Sequence, residues 1–212
     1  MSAFPELISP VKEITSNETL WTRHTTPAQI AKLFSRFDNA LPSSIAASEG
    51  ISEEEVNEIQ TEAESLMSFK EYSALFYKDF EYPQRLRDAK YPVEILYYRG
   101  NLDLLSSQSV AVVGARDASA EGIARAKKIA RLLIEYDFTV LSGLARGIDT
   151  AAHEEAIRLG GHTIGVIGTA LHESYPKENK ELQKSLTKNH IVVSQVPFVQ
   201  YQRQRRTNFR RN

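Results

Sequence analysis

Cysteine is absent from all 212 residues. That single absence removes disulfide frameworks, thiolate metal sites and cysteine nucleophiles, and it makes the cytosol the natural compartment. No run approaches the roughly 20 apolar residues that span a bilayer. Residues 1–14 have no basic segment leading into an apolar core, so a soluble, unprocessed protein without a membrane partner is expected. An excess of either charge is also missing. Lys and Arg number 26 against 27 Asp and Glu, a formal net charge of −1, so any attraction to nucleic acid has to come from local clustering. The glycines form neither G-x-G-x-x-G nor a Walker A pattern, which excludes the two commonest nucleotide fingerprints.

What is present centres on residues 109–153, SVAVVGARDASAEGIARAKKIARLLIEYDFTVLSGLARGIDTAAH. The β-branched run at 110–113 reads as a strand buried on both faces of a parallel sheet, ended by Gly114. Ser119 is placed to cap the following helix, where Ile123, Ala126, Ile129, Ala130 and Leu133 recur at helical spacing. Residues 138–141 repeat the strand signal and end in Ser142-Gly143, after which Ala145-Arg146-Gly147-Ile148-Asp149 opens a second helix. Residues 162–167 and 191–196 predict two more strands around a helix at 179–186, with Pro197 stopping the last strand. Alternating strands and helices imply an α/β fold, a Rossmann-like parallel sheet with helices on both faces and ligands at the carboxyl ends of the strands.

Two strand-to-helix turns at one sheet edge bring two helix N-termini together, and each turn carries an arginine, Arg116 and Arg146. Free N–H groups, positive dipole ends and guanidinium forks make a phosphate site the expected chemistry. Gly114, Arg116, Ser142, Gly143, Arg146 and Gly147 are its candidate residues, with Ser142 offering a hydroxyl and Asp149 and His153 supporting from behind. The competing account pairs one arginine with Asp117 or Asp149 to hold the loops. Ser142 and His153 lack a third orienting residue and the Gly-x-Ser-x-Gly elbow, so a binder rather than an enzyme is expected. His162 and His172 have no partner at ligand spacing, and neither a metal nor a cofactor is implied.

Residues 1–79 differ from this pattern and read as a small helical N-terminal module, with 80–212 forming the Rossmann-like domain. A short helix docks Trp21, Thr26-Pro27 starts another helix that Leu41-Pro42 ends, and Ser52 with Glu55 forms a capping box for a third running to Met67. Its acidic stretch at 53–64 suits a solvated face better than a partner surface. Phe69, Tyr72, Phe76, Tyr77, Phe80 and Tyr82 could stack bases, but their spacing suits packing against the Rossmann domain. The tail at 200–212 interleaves Arg203, Arg205, Arg206, Arg210 and Arg211 with Tyr201 and Phe209, the combination that a single strand's phosphates and bases require.

Several motifs together resemble the DprA/Smf family. They are Val113-Gly114-Ala115-Arg116, the string from Ser142 to Asp149 with Ala152-His153, Ser174-Tyr175-Pro176 with Asn179, and Tyr82-Pro83 through Tyr91-Pro92 to Leu96-Tyr97-Tyr98-Arg99-Gly100-Asn101. Phe209, Arg211 and Asn212 resemble the start of that family's Phe-x-Arg-Asn-Arg motif. The resemblance implies a cytoplasmic mediator of natural transformation and recombination that binds single-stranded DNA, forms a homodimer and loads RecA recombinase. It also implies further strands and a glycine/serine loop beyond the Phe-x-Arg-Asn motif, which do not follow here, so a short sheet with an exposed edge is expected. Two other readings stay open: a nucleotide or nucleotide-derivative sensor in stress or phage defence, and a protein-interaction subunit.

Overall fold

The computed structural model describes residues 10–66, 68, 71–89 and 93–203. In chain order the elements are helices α1 (Pro10–Arg23), α2 (Pro27–Arg36), α3 (Pro42–Ser48) and α4 (Glu53–Leu66), strand β1 (Ser73–Phe76), helix α5 (Gln84–Arg87) and strand β2 (Ile95–Gly100). After a 3₁₀ turn at Leu102–Ser106 come β3 (Ser109–Ala111), α6 (Ala120–Glu135), β4 (Thr139–Ser142), α7 (Ile148–Arg158) and β5 (Thr163–Val166). A second 3₁₀ turn at Lys177–Asn179 leads to α8 (Lys180–Asn189), β6 (Ile191–Ser194) and α9 (Phe198–Arg203). These residues fall into two compact units, one reaching Leu96 and resuming at Pro197, the other Tyr97–Val196. The expected division at 79/80 cut off the wrong pieces, because β1 and the start of β2 stay with the helices and the chain returns to them after Val196.

In the first unit α1 is the hub. Residues from Glu13 to Trp21 are all buried, so this helix is surrounded rather than docked by one tryptophan. Leu20 and Trp21 join Ile30, Leu33, Phe34, Ile45 and Ala46 in one apolar cluster. Two of its carboxylates close other helices. Glu13 accepts from the Ser43 N–H at 2.9 Å and its hydroxyl at 2.7 Å, satisfying a donor at the start of α3. Glu18 accepts from the N–H groups of Phe198 at 2.9 Å and Val199 at 3.0 Å, at the start of α9. Thr26 caps α2 as expected, with Gln29 completing a box. The expected Ser52–Glu55 box closes only halfway: the Ser52 hydroxyl accepts from the Glu55 N–H at 3.2 Å, while the Glu55 carboxylate accepts from Arg23 at 3.0 and 2.6 Å. Of the aromatic group, Tyr72, Phe76 and Tyr82 are buried and Tyr77 is half-buried, while Phe69 lies outside the described residues. The Tyr72 ring lies 4.4 Å from that of Phe198 in the same unit rather than against the Rossmann-like one. Phe80 instead is 98% exposed.

The six strands run in the order β1-β2-β6-β5-β4-β3. β3, β4, β5 and β6 are parallel, as the alternation predicts, but β2 lies antiparallel on β6, so the sheet is mixed. β3 differs from expectation more sharply. It is an edge strand, with Val110 37% exposed and Val113, just past its end, 74% exposed, so the run is not buried on both faces. A β-branched run has the same composition at an edge or in the middle, and only its neighbours decide which. The core of the second unit joins Val112, Val140, Ala130, Ala152 and Ala156, with Leu133, Ile134 and Ile148 at its rim, which seats α6 and α7 on the strands. Among the described residues no helix is long and apolar enough to cross a membrane.

Candidate nucleic-acid interface

The two turns after β3 and β4 interlock through their glycines. A Cβ on Gly114 would stand 2.6 Å from the Ile148 side chain, so the first turn can pass the start of α7 only without one. Gly147 has φ +78°, and a Cβ there would meet the carbonyl oxygens of Ala115 and Arg116 at 2.4 and 2.6 Å. The Ile148 N–H donates to the Ala115 carbonyl at 3.3 Å. These contacts place Arg116 and Arg146 on adjoining backbones although 30 residues separate them in sequence.

Three side chains brace the second turn. Asp149 accepts from the N–H groups of Gly143 at 3.1 Å and Ala145 at 3.4 Å. Thr150 donates its hydroxyl to the Ala145 carbonyl at 2.7 Å and accepts from the Asn179 amide, also at 2.7 Å. Asn179 further donates to the Leu144 carbonyl at 2.8 Å, where Leu144 holds φ +57°. The turn that carries Arg146 is therefore set before any ligand arrives.

The roles expected of Ser142 and Gly143 change at this point. Ser142 is buried and donates to the Val112 carbonyl at 2.6 Å, so its hydroxyl joins β4 to the end of β3 and does not face a phosphate. The Gly143 N–H is taken by Asp149, which acts as the turn's internal anion. His153 is fully buried, and its Nδ1 lies 2.6 Å from the Thr163 hydroxyl. Because that hydroxyl donates to the Val140 carbonyl at 2.8 Å, Nδ1 carries the proton and Thr163 accepts it. Burial pulls the imidazole down from 6.5 to about 4, with the Ser142 backbone opposing and His190 reinforcing the shift. A neutral histidine engaged with Thr163, beside a serine engaged with Val112, is not a base and nucleophile pair.

The side chains that do face solvent meet around a cleft of about 340 Å³ lined by Arg116, Ala145, Arg146, Tyr175, Pro176, Lys177 and Glu178. The Arg116 guanidinium makes no ion pair among the described residues and lies 5.9 Å from the centre of the Tyr175 ring. Arg146 reaches Asp117 at 3.3 Å, with 55% and 88% of the two side chains exposed, so water screens the pair and a phosphate can compete for the arginine. Arg146 also borders a shallower depression with Lys127, Gly147, Thr150, Glu154 and Asn179. Tyr175 and Lys177 carried no site role in the sequence reading. The signal available was their position beside Pro176 in the same motif as Asn179, which brings that loop to the carboxyl ends of the strands.

Arg203 belongs to the first unit and forks onto Glu62 of α4, Nε to Oε1 at 3.2 Å and Nη2 to Oε2 at 2.5 Å. Its charge is matched by α4's acidic face, a use that the tail's composition did not reveal. Arg205, Arg206, Arg211 and Asn212, together with Phe209 and the Tyr91-Pro92 pair, lie outside the described residues.

Fold and cleft define a Rossmann-like α/β protein that presents cations and one ring at the carboxyl ends of its parallel strands. A profile of the DNA recombination-mediator protein A family matches residues 73–212, and the chain belongs to that family, the DprA/Smf group that its motifs resemble. It is 43% identical over 127 residues to DNA processing protein DprA of Streptococcus pneumoniae, covering 60% of this chain and 45% of that protein. Protein Smf of Synechocystis is 37% identical over 123 residues, covering 56% and 31%. The solved structure of the pneumococcal protein is similar with a TM-score of 0.67 at 34% identity, over 89% of this chain and 68% of that one. A structure of DNA processing protein A from Helicobacter pylori, described for its single-stranded DNA binding mode, is similar with a TM-score of 0.51 at 28% identity, over 59% and 55%. The chain thus spans less than half the length of the curated relatives it matches.

Proposed function

We propose that this chain binds single-stranded DNA in the cleft between Arg116, Arg146, Tyr175 and Lys177, and serves recombination in the cytoplasm by binding rather than by catalysis. The observation that carries the reading is the interlock of two turns, which sets two arginines of separate strands beside one exposed ring. Guanidinium groups supply fork geometry for phosphate oxygens, and the ring supplies a face for a base. The reading is supported by the commitment of Ser142 and His153 to backbone and Thr163, and by the binding described for the Helicobacter pylori relative. By family resemblance the protein would also form a homodimer and load RecA recombinase, which co-sedimentation with RecA on oligo-dT would test.

Anisotropy of labelled oligo-dT tests the binding, with duplex DNA and ATP as competitors. Arg116→Ala and Arg146→Ala are each expected to weaken binding by about 1–3 kcal/mol, the worth of a charge-assisted bond, with the fold unchanged by circular dichroism. Undiminished binding by both variants would remove the cleft from the interface. The cleft's volume, near that of a small-ligand pocket, favours one alternative, a nucleotide sensor. Displacement of the oligonucleotide by ATP at equal concentration would select it.

A further inference from the structure

Cations alone do not distinguish a single strand from a duplex, because both present phosphates. Among the described residues, the exposed large hydrophobic side chains include Phe80 at 98%, Tyr136 at 73% and Tyr175 at 51% exposure. Neither Phe80 nor Tyr136 borders the cleft that Arg116, Arg146 and Lys177 line, whereas Tyr175 forms part of its wall.

The ring stands on an anchored loop. Ala170 and Leu171 are buried at its start, and Pro176 is buried immediately after Tyr175. Gln183 donates to the Leu171 carbonyl at 3.4 Å and the Glu173 carbonyl at 3.1 Å, while the Asn179 N–H donates to the Pro176 carbonyl at 3.1 Å. Arg116 sits 5.9 Å from the ring centre, within the range of a cation–π contact, so guanidinium, ring and an incoming base can form one stack. An aromatic face held in place loses little freedom when a base settles on it. In a duplex the bases are already stacked on one another, and the ring has nothing to receive.

Resting on the reading of the cleft as a single-strand site, we propose that Tyr175 is its base-stacking platform and the residue that makes it strand-selective, while Arg116, Arg146 and Lys177 hold phosphates of either form. The ring supplies the face and Arg116 supports it from beside, so phenylalanine can replace tyrosine and alanine cannot.

The test is anisotropy titration of the whole chain with three labelled probes: oligo-dT of about 12 nucleotides, an abasic deoxyribose-phosphate strand of equal length, and a duplex of that length. Tyr175→Ala is expected to weaken oligo-dT binding by about 5- to 100-fold, corresponding to the loss of one stacked base, and to leave the abasic strand and the duplex within about twofold of the unchanged protein. Tyr175→Phe should retain oligo-dT affinity. Arg116→Ala should weaken all three probes together. Equal losses on oligo-dT and the abasic strand in Tyr175→Ala would overturn the proposal and make the ring a mere support for Arg116. So would undiminished oligo-dT binding by a Tyr175→Ala variant whose urea melt matches that of the parent. A parent chain that binds none of the probes would instead remove the single-strand reading itself, and the stacking role with it.

Discussion

At the scale of single residues, the site depends on what Gly147 lacks as much as on what the arginines carry. Its positive φ and the carbonyl oxygens of Ala115 and Arg116 leave no room for a methyl group. Gly147→Ala is therefore expected to cost about 1–3 kcal/mol of stability and to separate the two turns, so oligonucleotide affinity should fall although no binding atom has been removed. Urea melts and anisotropy on the same sample check both effects. His153 makes the other residue-scale prediction. Its folded pKa of about 4 lies below its ordinary 6.5, so the unfolded chain takes up more protons between those values and stability rises with pH there. The contribution, about 3 kcal/mol, is fully present above pH 6.5, is lost as pH falls toward 4, and changes no further below that. Urea melts across that window should show a clearly shallower slope in His153→Gln than in the parent protein, the remainder coming from His190, whose imidazole burial also holds below its ordinary value. The string Ser142 to Asp149 was legible as a turn, but Ser142's partner was not. A serine at a strand end reads the same whether its hydroxyl meets a ligand or the Val112 carbonyl.

At the scale of elements, helix starts were legible where the cap lies beside the helix in sequence. Thr26, Ser52 and Ser119 are local caps and all three form. The ends of α3 and α9 were not legible, because their N–H groups are satisfied by Glu13 and Glu18, 30 and 180 residues away. These two carboxylates also explain why α1 can be buried with charges on it, since each meets donors that would otherwise be orphaned. Glu18→Ala is expected to cost about 3 kcal/mol or more, leaving two buried N–H groups unpaired and loosening the contact of Phe198 with Tyr72. Faster hydrogen exchange at the Phe198 and Val199 amides would show it, and exchange unchanged from the parent would refute it. The same distance explains Arg203. Its place in an arginine-rich tail suggested nucleic acid, yet Glu62 of α4 takes its charge.

At the scale of the whole molecule, a net charge of −1 means that long-range attraction to DNA is weak and binding should rest on a few local cations. With Arg116, Arg146 and Lys177 as the phosphate contacts, the logarithm of the binding constant is expected to fall with the logarithm of salt at a slope of about −2 on a single strand. A much steeper slope would bring residues 204–212, with their further arginines, into the interface. A flat one would argue against phosphate binding altogether. The sequence by itself determined the α/β class, the parallel core strands and the two arginine-bearing turns, because periodicity, caps and strand-ending glycines act over a few residues. Only the tertiary structure decided that β3 lies at an edge, that β2 runs antiparallel, that Ser142 faces inward, and that Tyr175 joins the arginines. Each of those outcomes depends on which distant segment arrives as a neighbour, and local composition carries no record of that.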